Sequence, residues 1–203
     1  MSESAGRREV NKARTRVALV DAARELARER GLDDVTAEDI ADRAGVSRRT
    51  FFNYFSGIEA VVAAGLAEPL ERMADALRRR PPEEEPLVAI VAALRAEPLG
   101  AEILLGWLPT TPGSSLRGRE LQLRVWQHHE DWLVDVLRDR LGDEDDLRVR
   151  SLAAAVMALF ETVQRAWLPT AVGRDPDEAV AAFNDTLLRV LAHADAGWRR
   201  LPS

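Results

Sequence analysis

The stretch from residue 36 to residue 55, TAEDIADRAGVSRRTFFNYF, leaves the chain the fewest choices. It predicts two short helices joined by a tight turn. Thr36 is placed to cap the first, with Glu38 and Asp39 in the opening turn, where the positive end of the helix dipole favours acids. Ile40 and Ala44 lie four apart on one face, and Gly45 stops the helix by taking a backbone conformation that side chains resist. Val46 precedes Ser47, which can cap a second helix reaching about Tyr54. Phe51 and Phe55, again four apart, share its inward face, so Arg48, Arg49, Phe52 and Asn53 point elsewhere. Two arginines, an amide and exposed aromatic surface suit phosphates and base edges in a major groove. The pattern is a helix-turn-helix.

From Arg16 to Glu59 the chain resembles the N-terminal domain of the tetracycline-repressor (TetR) family of transcriptional regulators. The likeness is carried by Ala22, Ala23 and Leu26 in the first helix and by Gly31. It continues through Thr36, Ile40, Ala41, Ala44, Gly45, Val46, Ser47, Thr50, Phe55 and Glu59. A helix–glycine–helix pattern alone occurs in many bundles; this many matches in order are specific. Three positions depart from the family pattern. Phe52 stands where a tyrosine is usual, Ile58 where a lysine usually opens the fourth helix, and Ala27 where phenylalanine is common. The first two remove a hydroxyl and a cation from the expected phosphate contacts. The third predicts a differently filled core beneath the motif.

Arg48 and Arg49 are the best candidates for base readout, bidentate to guanine or else on phosphate, and Asn53 suits adenine. Thr36, Ser47, Thr50 and Tyr54 offer short donors to the DNA backbone, as the resemblance implies. A basic arm over residues 1–16, with Arg7, Arg8, Lys12 and Arg14, adds salt-dependent contacts to phosphates or the minor groove. The net charge of −6 argues against nucleic acid until its distribution is read. Residues 1–55 hold 11 Lys+Arg against 10 Asp+Glu, and the first 16 alone carry +3. The remainder, with 17 against 24, is acidic and opposes non-specific adhesion.

With 203 residues, 46% of them apolar, the chain can bury a core in one domain or two small ones. There is no cysteine, so disulfides and thiolate metal sites are excluded. Residues 1–16 are polar and do not read as a signal peptide, and no apolar run reaches the roughly 20 residues of a membrane span. A cytoplasmic protein without a membrane partner is expected.

Helical periodicity runs the whole length and strand signals are absent. The expectation is an all-α fold of about nine helices. A three-helix DNA-binding domain occupies residues 1–56 and a helical effector-binding and dimerisation domain residues 57–203. Residues 1 to about 10 read as disordered, with a first helix from Asn11 to Arg30. A fourth helix starts at Ser56, with Gly57 as the alternative cap, and ends before Pro81-Pro82. A short helix carries Leu87 to Leu94, and Pro98 opens another. Residues 109–115, PTTPGSS, read as a loop, and Gly142 and Asp143 as the stop and cap between two long helices. Asp175-Pro176-Asp177-Glu178 is a strong helix start.

Family members bind a small molecule in the C-terminal domain. Here the residues suited to such a pocket are Met73, Trp107, Trp126 and Trp132, with Met157, Phe160 and Trp167, although aromatics at helical spacing are commonly core. Five tryptophans against one tyrosine fit a roomy apolar cavity. His129 is positioned to hydrogen-bond an effector, but adjacent His128 diverges by about 100° and the two do not make a metal site. The sequence from Ser151 to Trp167 is apolar almost all round, which predicts burial on more than one side. Leu152, Val156, Leu159 and Val163 form one stripe, and Phe183, Leu187 and Leu191 form another on the last helix. The resemblance implies that the last two helices form the dimer interface; one larger monomeric core is the other reading.

No nucleophile elbow, phosphate loop, metal cluster or dinucleotide fingerprint is present, so neither an enzyme nor a cofactor is expected. His128 to Asp131 are four consecutive helical residues and cannot converge on one substrate. The expected function is a ligand-responsive regulator, most simply a repressor that binds a double-stranded palindromic operator as a homodimer and is released by a small apolar effector. The competing classes are an uncharacterised enzyme and a helical interaction protein, neither of them binding DNA.

Overall fold

The structure is a computed structural model; it describes residues 2–105, 107, 116–141, 146–171 and 173–197, without the side chains of 2–8, 33 and 116–124. Nine α-helices and one 3-10 turn, with no strand, make up the described residues. The expected loop at 109–115 and the expected Gly142–Asp143 junction lie outside them. The chain divides into two compact units, one of Met1–Ala67 with Gly106–Val125, the other of Glu68–Leu105 with Trp126–Ser203. The first unit therefore reaches beyond residue 56. It takes in Ile58, Val61, Val62 and Leu66, which are buried.

In the first unit, α1 spans Ser2–Arg30, a 3-10 turn Leu32–Asp34, α2 Ala37–Arg43 and α3 Arg48–Tyr54, followed by the start of α4, Ile58–Arg78. The expected disordered arm is instead the beginning of α1. Ala5, Arg7, Arg8 and Glu9 are good helix formers, no proline interrupts them, and extending an existing helix needs no new nucleus. Leu19, Ala22, Ala23, Leu26 and Ala27 are its buried stripe. α1 packs on α2 and α2 on α3. Outside this core, Arg43 of α2 reaches Glu25 of α1 at 3.2 Å and Glu29 at 2.8 Å. That pairing holds the Glu29 carboxyl below its usual pKa, chiefly through the hydrogen bond from Arg43. The Val61 N–H bonds to the Gly57 carbonyl at 3.4 Å, so α4 starts on Gly57 rather than Ser56.

The second unit holds the rest of α4, α5 (Pro86–Ala96), the four-residue α6 (Ala101–Leu104), most of α7 (Leu116–Leu141), α8 (Asp146–Ala171) and α9 (Pro176–Asp195). α9 packs on α8, α5 and α6. Asp175 caps it as its sequence predicts, accepting from the N–H groups of Asp177 and Glu178 at 3.0 and 3.3 Å. Pro98 does not open a helix. Gly100 caps α6, because the residue between them, Leu99, is held outside any helix by a buried side chain of α9. Asn184 Oδ1 accepts from Leu99 N–H at 3.0 Å, and Asn184 Nδ2 donates to Leu99 O at 2.9 Å and to Val180 O at 3.0 Å. A second polar tie closes α4. Arg140 of α7 donates to the carbonyls of Arg80 at 3.3 Å, Glu84 at 3.0 Å and Pro81. A cation thus meets the carbonyls around the end of α4 and in the following turn, groups that no helix bond satisfies.

Candidate nucleic-acid interface

The turn of the helix-turn-helix is set by backbone geometry. Gly45 has φ 69°, its N–H bonds to Asp42 O at 3.1 Å, and Val46 N–H bonds to Ala41 O at 2.9 Å. This paired ending of α2 needs a left-handed residue at its apex. A Cβ on Gly45 would meet nothing within 4 Å, so the need is conformational and not spatial. Gly45→Ala is accordingly expected to cost about 1 kcal/mol, lowering the melting temperature by a few degrees. An unchanged thermal melt would contradict this account of the turn.

Both caps form. At the start of α2, Asp39 N–H donates to Thr36 Oγ1 at 3.1 Å, while Asp39 Oδ2 accepts from Thr36 N–H at 2.8 Å and from its hydroxyl at 2.6 Å. Arg30 joins the same carboxylate at 2.8 Å. These donors to the charged form, the Thr36 hydroxyl foremost, hold the Asp39 carboxyl down to about 2. The Thr36 hydroxyl is therefore engaged inside the fold, whereas the sequence offers it as a phosphate donor. At the start of α3, Ser47 Oγ accepts from Thr50 N–H at 3.0 Å and lies 2.8 Å from Thr50 Oγ1. Sharing one proton between those oxygens leaves the other hydroxyl free to donate outward.

Phe51 and Phe55 are buried, at 0% and 4% exposure, and their rings lie 6.0 Å apart. This anchors α3 and turns Arg48, Arg49, Phe52 and Asn53 to solvent; Tyr54 is half-buried. The Arg48 guanidinium lies over the Phe52 ring, 5.5 Å from its centroid. Phe52 thus carries no hydroxyl but is a platform under an arginine. Neither Arg48 nor Arg49 has an acidic partner among the described residues, so a cationic, unneutralised face remains. Lys12 and Arg14 are exposed on α1, and the side chains of Arg7 and Arg8 lie outside the described residues. Arg16, read from sequence only as part of the arm's charge, sits 4.7 Å over the Phe55 ring and ties α1 to the end of α3.

The residues considered for an effector pocket separate. Trp107 belongs to the first unit, where it meets Gly65 and lies 5.5 Å from Arg24. Trp167 is core: 5% exposed, with its Nε1 donating to Ala179 O at 2.7 Å and its ring 5.2 Å from Phe183. Met73, Trp126, His129, Trp132, Met157 and Phe160 are all half-buried residues of the second unit. Trp126 meets Phe160 edge-on at 5.4 Å, and Phe160 meets Phe183 at 5.2 Å. His129 Nε2 is buried without a hydrogen-bond partner among the described residues. Burial, and then the neighbouring His128, lowers its pKa to about 4. Between that value and 6.5 the unfolded chain binds a proton that the folded chain does not, so stability falls as pH drops through this window. A loss on the order of 2–3 kcal/mol is expected, absent from His129→Leu, and urea unfolding at pH 7 and pH 4.5 measures it.

The stripe expected at a subunit interface needs correction. Val163, Phe183, Leu187 and Leu191 are 2%, 0%, 3% and 0% exposed within the single chain, so they face its own core and have no surface left to give a partner. Leu152, Val156 and Leu159 are half-buried, beside exposed Ala154, Ala155 and Ala158. Among the described residues no single helix is long and apolar enough to cross a membrane, and no cluster of side chains suits a metal ion.

The pattern of the family described as "Bacterial regulatory proteins, tetR family" matches residues 19–64. The chain is 30% identical over 202 residues to the HTH-type transcriptional regulator TcmR of Streptomyces glaucescens, covering 92% of this chain and 87% of that protein. Among solved structures it is similar to the Thermus thermophilus repressor FadR, determined with lauroyl-CoA, at 24% identity, 93% and 98% coverage and a TM-score of 0.49. NalD of Pseudomonas aeruginosa, the secondary repressor of the MexAB-OprM multidrug efflux pump, is similar at 22% identity, 87% and 96% coverage and a TM-score of 0.47. The helix-turn-helix, its two caps and the relationship along nearly the whole length lead to one assignment: this chain belongs to the TetR family of transcriptional regulators.

Proposed function

We propose that the protein is a dimeric repressor that reads an inverted-repeat operator through α3 and releases it when a small apolar molecule occupies the second unit. The observation that carries the DNA reading is the exposed set Arg48, Arg49 and Asn53 on a helix anchored by Phe51 and Phe55. Arg48 and Arg49 take base edges or phosphate, Asn53 an adenine edge, and Ser47, Thr50 and Tyr54 the backbone. Lys12 and Arg14 add phosphate contacts from α1, with Arg7 and Arg8 in the same arm. Two such helices about 34 Å apart match successive major grooves, which requires a second copy. The surface suited to that copy is the part of α8 that the chain does not bury: Leu152, Val156 and Leu159 with the neighbouring alanines. Effector binding is assigned to the half-buried set around Trp126, Phe160 and His129. His129, neutral at pH 7 and with Nε2 unpartnered among the described residues, offers one oriented hydrogen bond in apolar surroundings.

Footprinting the purified protein on DNA flanking its own gene, at stated salt, tests the reading. Two protected half-sites one helical turn apart, or a multiple of it, are expected. Absence of protection at low salt across genome-wide fragments, by a folded protein, would refute it.

A further inference from the structure

Pro69 lies inside α4 and has no N–H, so the carbonyl of Gly65, four residues earlier, has no partner in the helix's own ladder. That carbonyl is not left bare. Arg24 of α1 donates Nη2 to Gly65 O at 3.2 Å. The Arg24 guanidinium carbon lies 5.5 Å from the centroid of the Trp107 ring. Trp107 is 7% exposed and occupies the space that only a glycine at 65 leaves: a Cβ there would stand 2.4 Å from Trp107 Cζ2 and 3.0 Å from Val20 Cγ1. Arg24 Nε is buried without a partner, and Asp21 reaches the guanidinium only at 3.7 Å, so the Gly65 carbonyl is its one close acceptor among the described residues. A proline, the carbonyl it orphans, a glycine notch, an arginine and a tryptophan thus make a single arrangement between α1 and α4.

We infer that Arg24 is a positioning residue for the recognition helix: it replaces the hydrogen bond that Pro69 removes from α4 and, held under Trp107, fixes the first half of α4 on α1. The consequence reaches α3 by two short routes. Its end is tied to α1 through Arg16 over Phe55, and its chain enters α4 within four residues of Tyr54. α3 is therefore held by the same two helices that Arg24 joins. The operator part of this inference rests on the function proposed above; the hydrogen-bond part does not.

A mutant cycle tests both. Arg24→Met keeps the aliphatic stem and removes the donors, and Pro69→Ala returns an N–H to Gly65 O. Amide exchange over residues 58–66 of the full-length protein is expected to speed up about 10-fold in Arg24→Met. In the Pro69→Ala background the same substitution is expected to change it by no more than about 2-fold, because the carbonyl then has its helical partner. A general loss of packing would show in both backgrounds equally, and equal effects overturn the inference. Pro69→Ala strengthens the helix and keeps the comparison open if Arg24→Met alone unfolds. Affinity for a duplex selected from a random pool is expected to follow the exchange pattern, weaker in Arg24→Met and restored in the double variant. Exchange that follows the pattern without any duplex binding by the parent would sink the operator reading and leave the hydrogen-bond exchange standing. Restored exchange without restored affinity would overturn the positioning role.

Discussion

Replacing Arg48 and Arg49 together by alanine is expected to lower affinity for the operator by about 10²- to 10⁴-fold, because each well-placed arginine contributes roughly 1–3 kcal/mol of contact to a base edge or phosphate. The melting temperature should stay within about 2 °C, since both side chains are exposed and neither has an acidic partner among the described residues. Their roles separate by salt. A residue on phosphate lowers the slope of log affinity against log salt by about one when removed and weakens all sequences alike. A residue on a base edge relaxes preference at one position and leaves the slope nearly unchanged. Titration of the single variants against the footprinted duplex at several salt concentrations reads both. Unchanged affinity in the double variant would show that α3 is not the reading element.

The largest expected effect on stability lies far from α3. Asn184→Leu leaves the N–H and C=O of Leu99 buried and unpaired, since Asn184 bonds both and Leu99 is 3% exposed. Each orphaned group costs about 1–3 kcal/mol, so a loss of about 2–5 kcal/mol is expected, seen as a fall in melting temperature of roughly 10 °C. Circular dichroism against temperature measures it. A fall of under 2 °C would mean that Leu99 finds other partners and that the amide bridge is not what holds the segment between α5 and α6.

The helix-turn-helix was legible because every signal in it is local. The cap at Thr36, the stop at Gly45, the cap at Ser47 and the four-residue spacing of Phe51 and Phe55 act within one or two turns of backbone. The start of α9 at Asp175-Pro176 was legible for the same reason. Misreadings arose where a distant group took over. Pro98 is a good helix opener by itself, yet Asn184, 85 residues away, claims the backbone of Leu99 and delays α6 to Ala101. Trp107 and Trp167 look like pocket aromatics in the sequence; a glycine notch on α4 takes one and the carbonyl of Ala179 the other. The apolar stripe of α9 gives no sign of which neighbour it meets, and Phe183, Leu187 and Leu191 go to the chain's own core. Arg16 counts in the sequence only toward the charge of the arm, and nothing local singles out Arg24 or Arg140, whose partners lie 41 and about 60 residues away.

Local hydrogen-bonding chemistry and helical periodicity thus determined, from the residues alone, an all-α chain, the helix-turn-helix and the face that α3 turns outward. The tertiary structure decided which apolar faces are core and which are left for a partner, and which tryptophans are structural. It also decided how the proline-containing α4 meets α1. The physical reason is range: caps, turns and spacing act over three or four residues, whereas burial and the pairing of a lone carbonyl depend on groups tens of residues apart that only folding brings together.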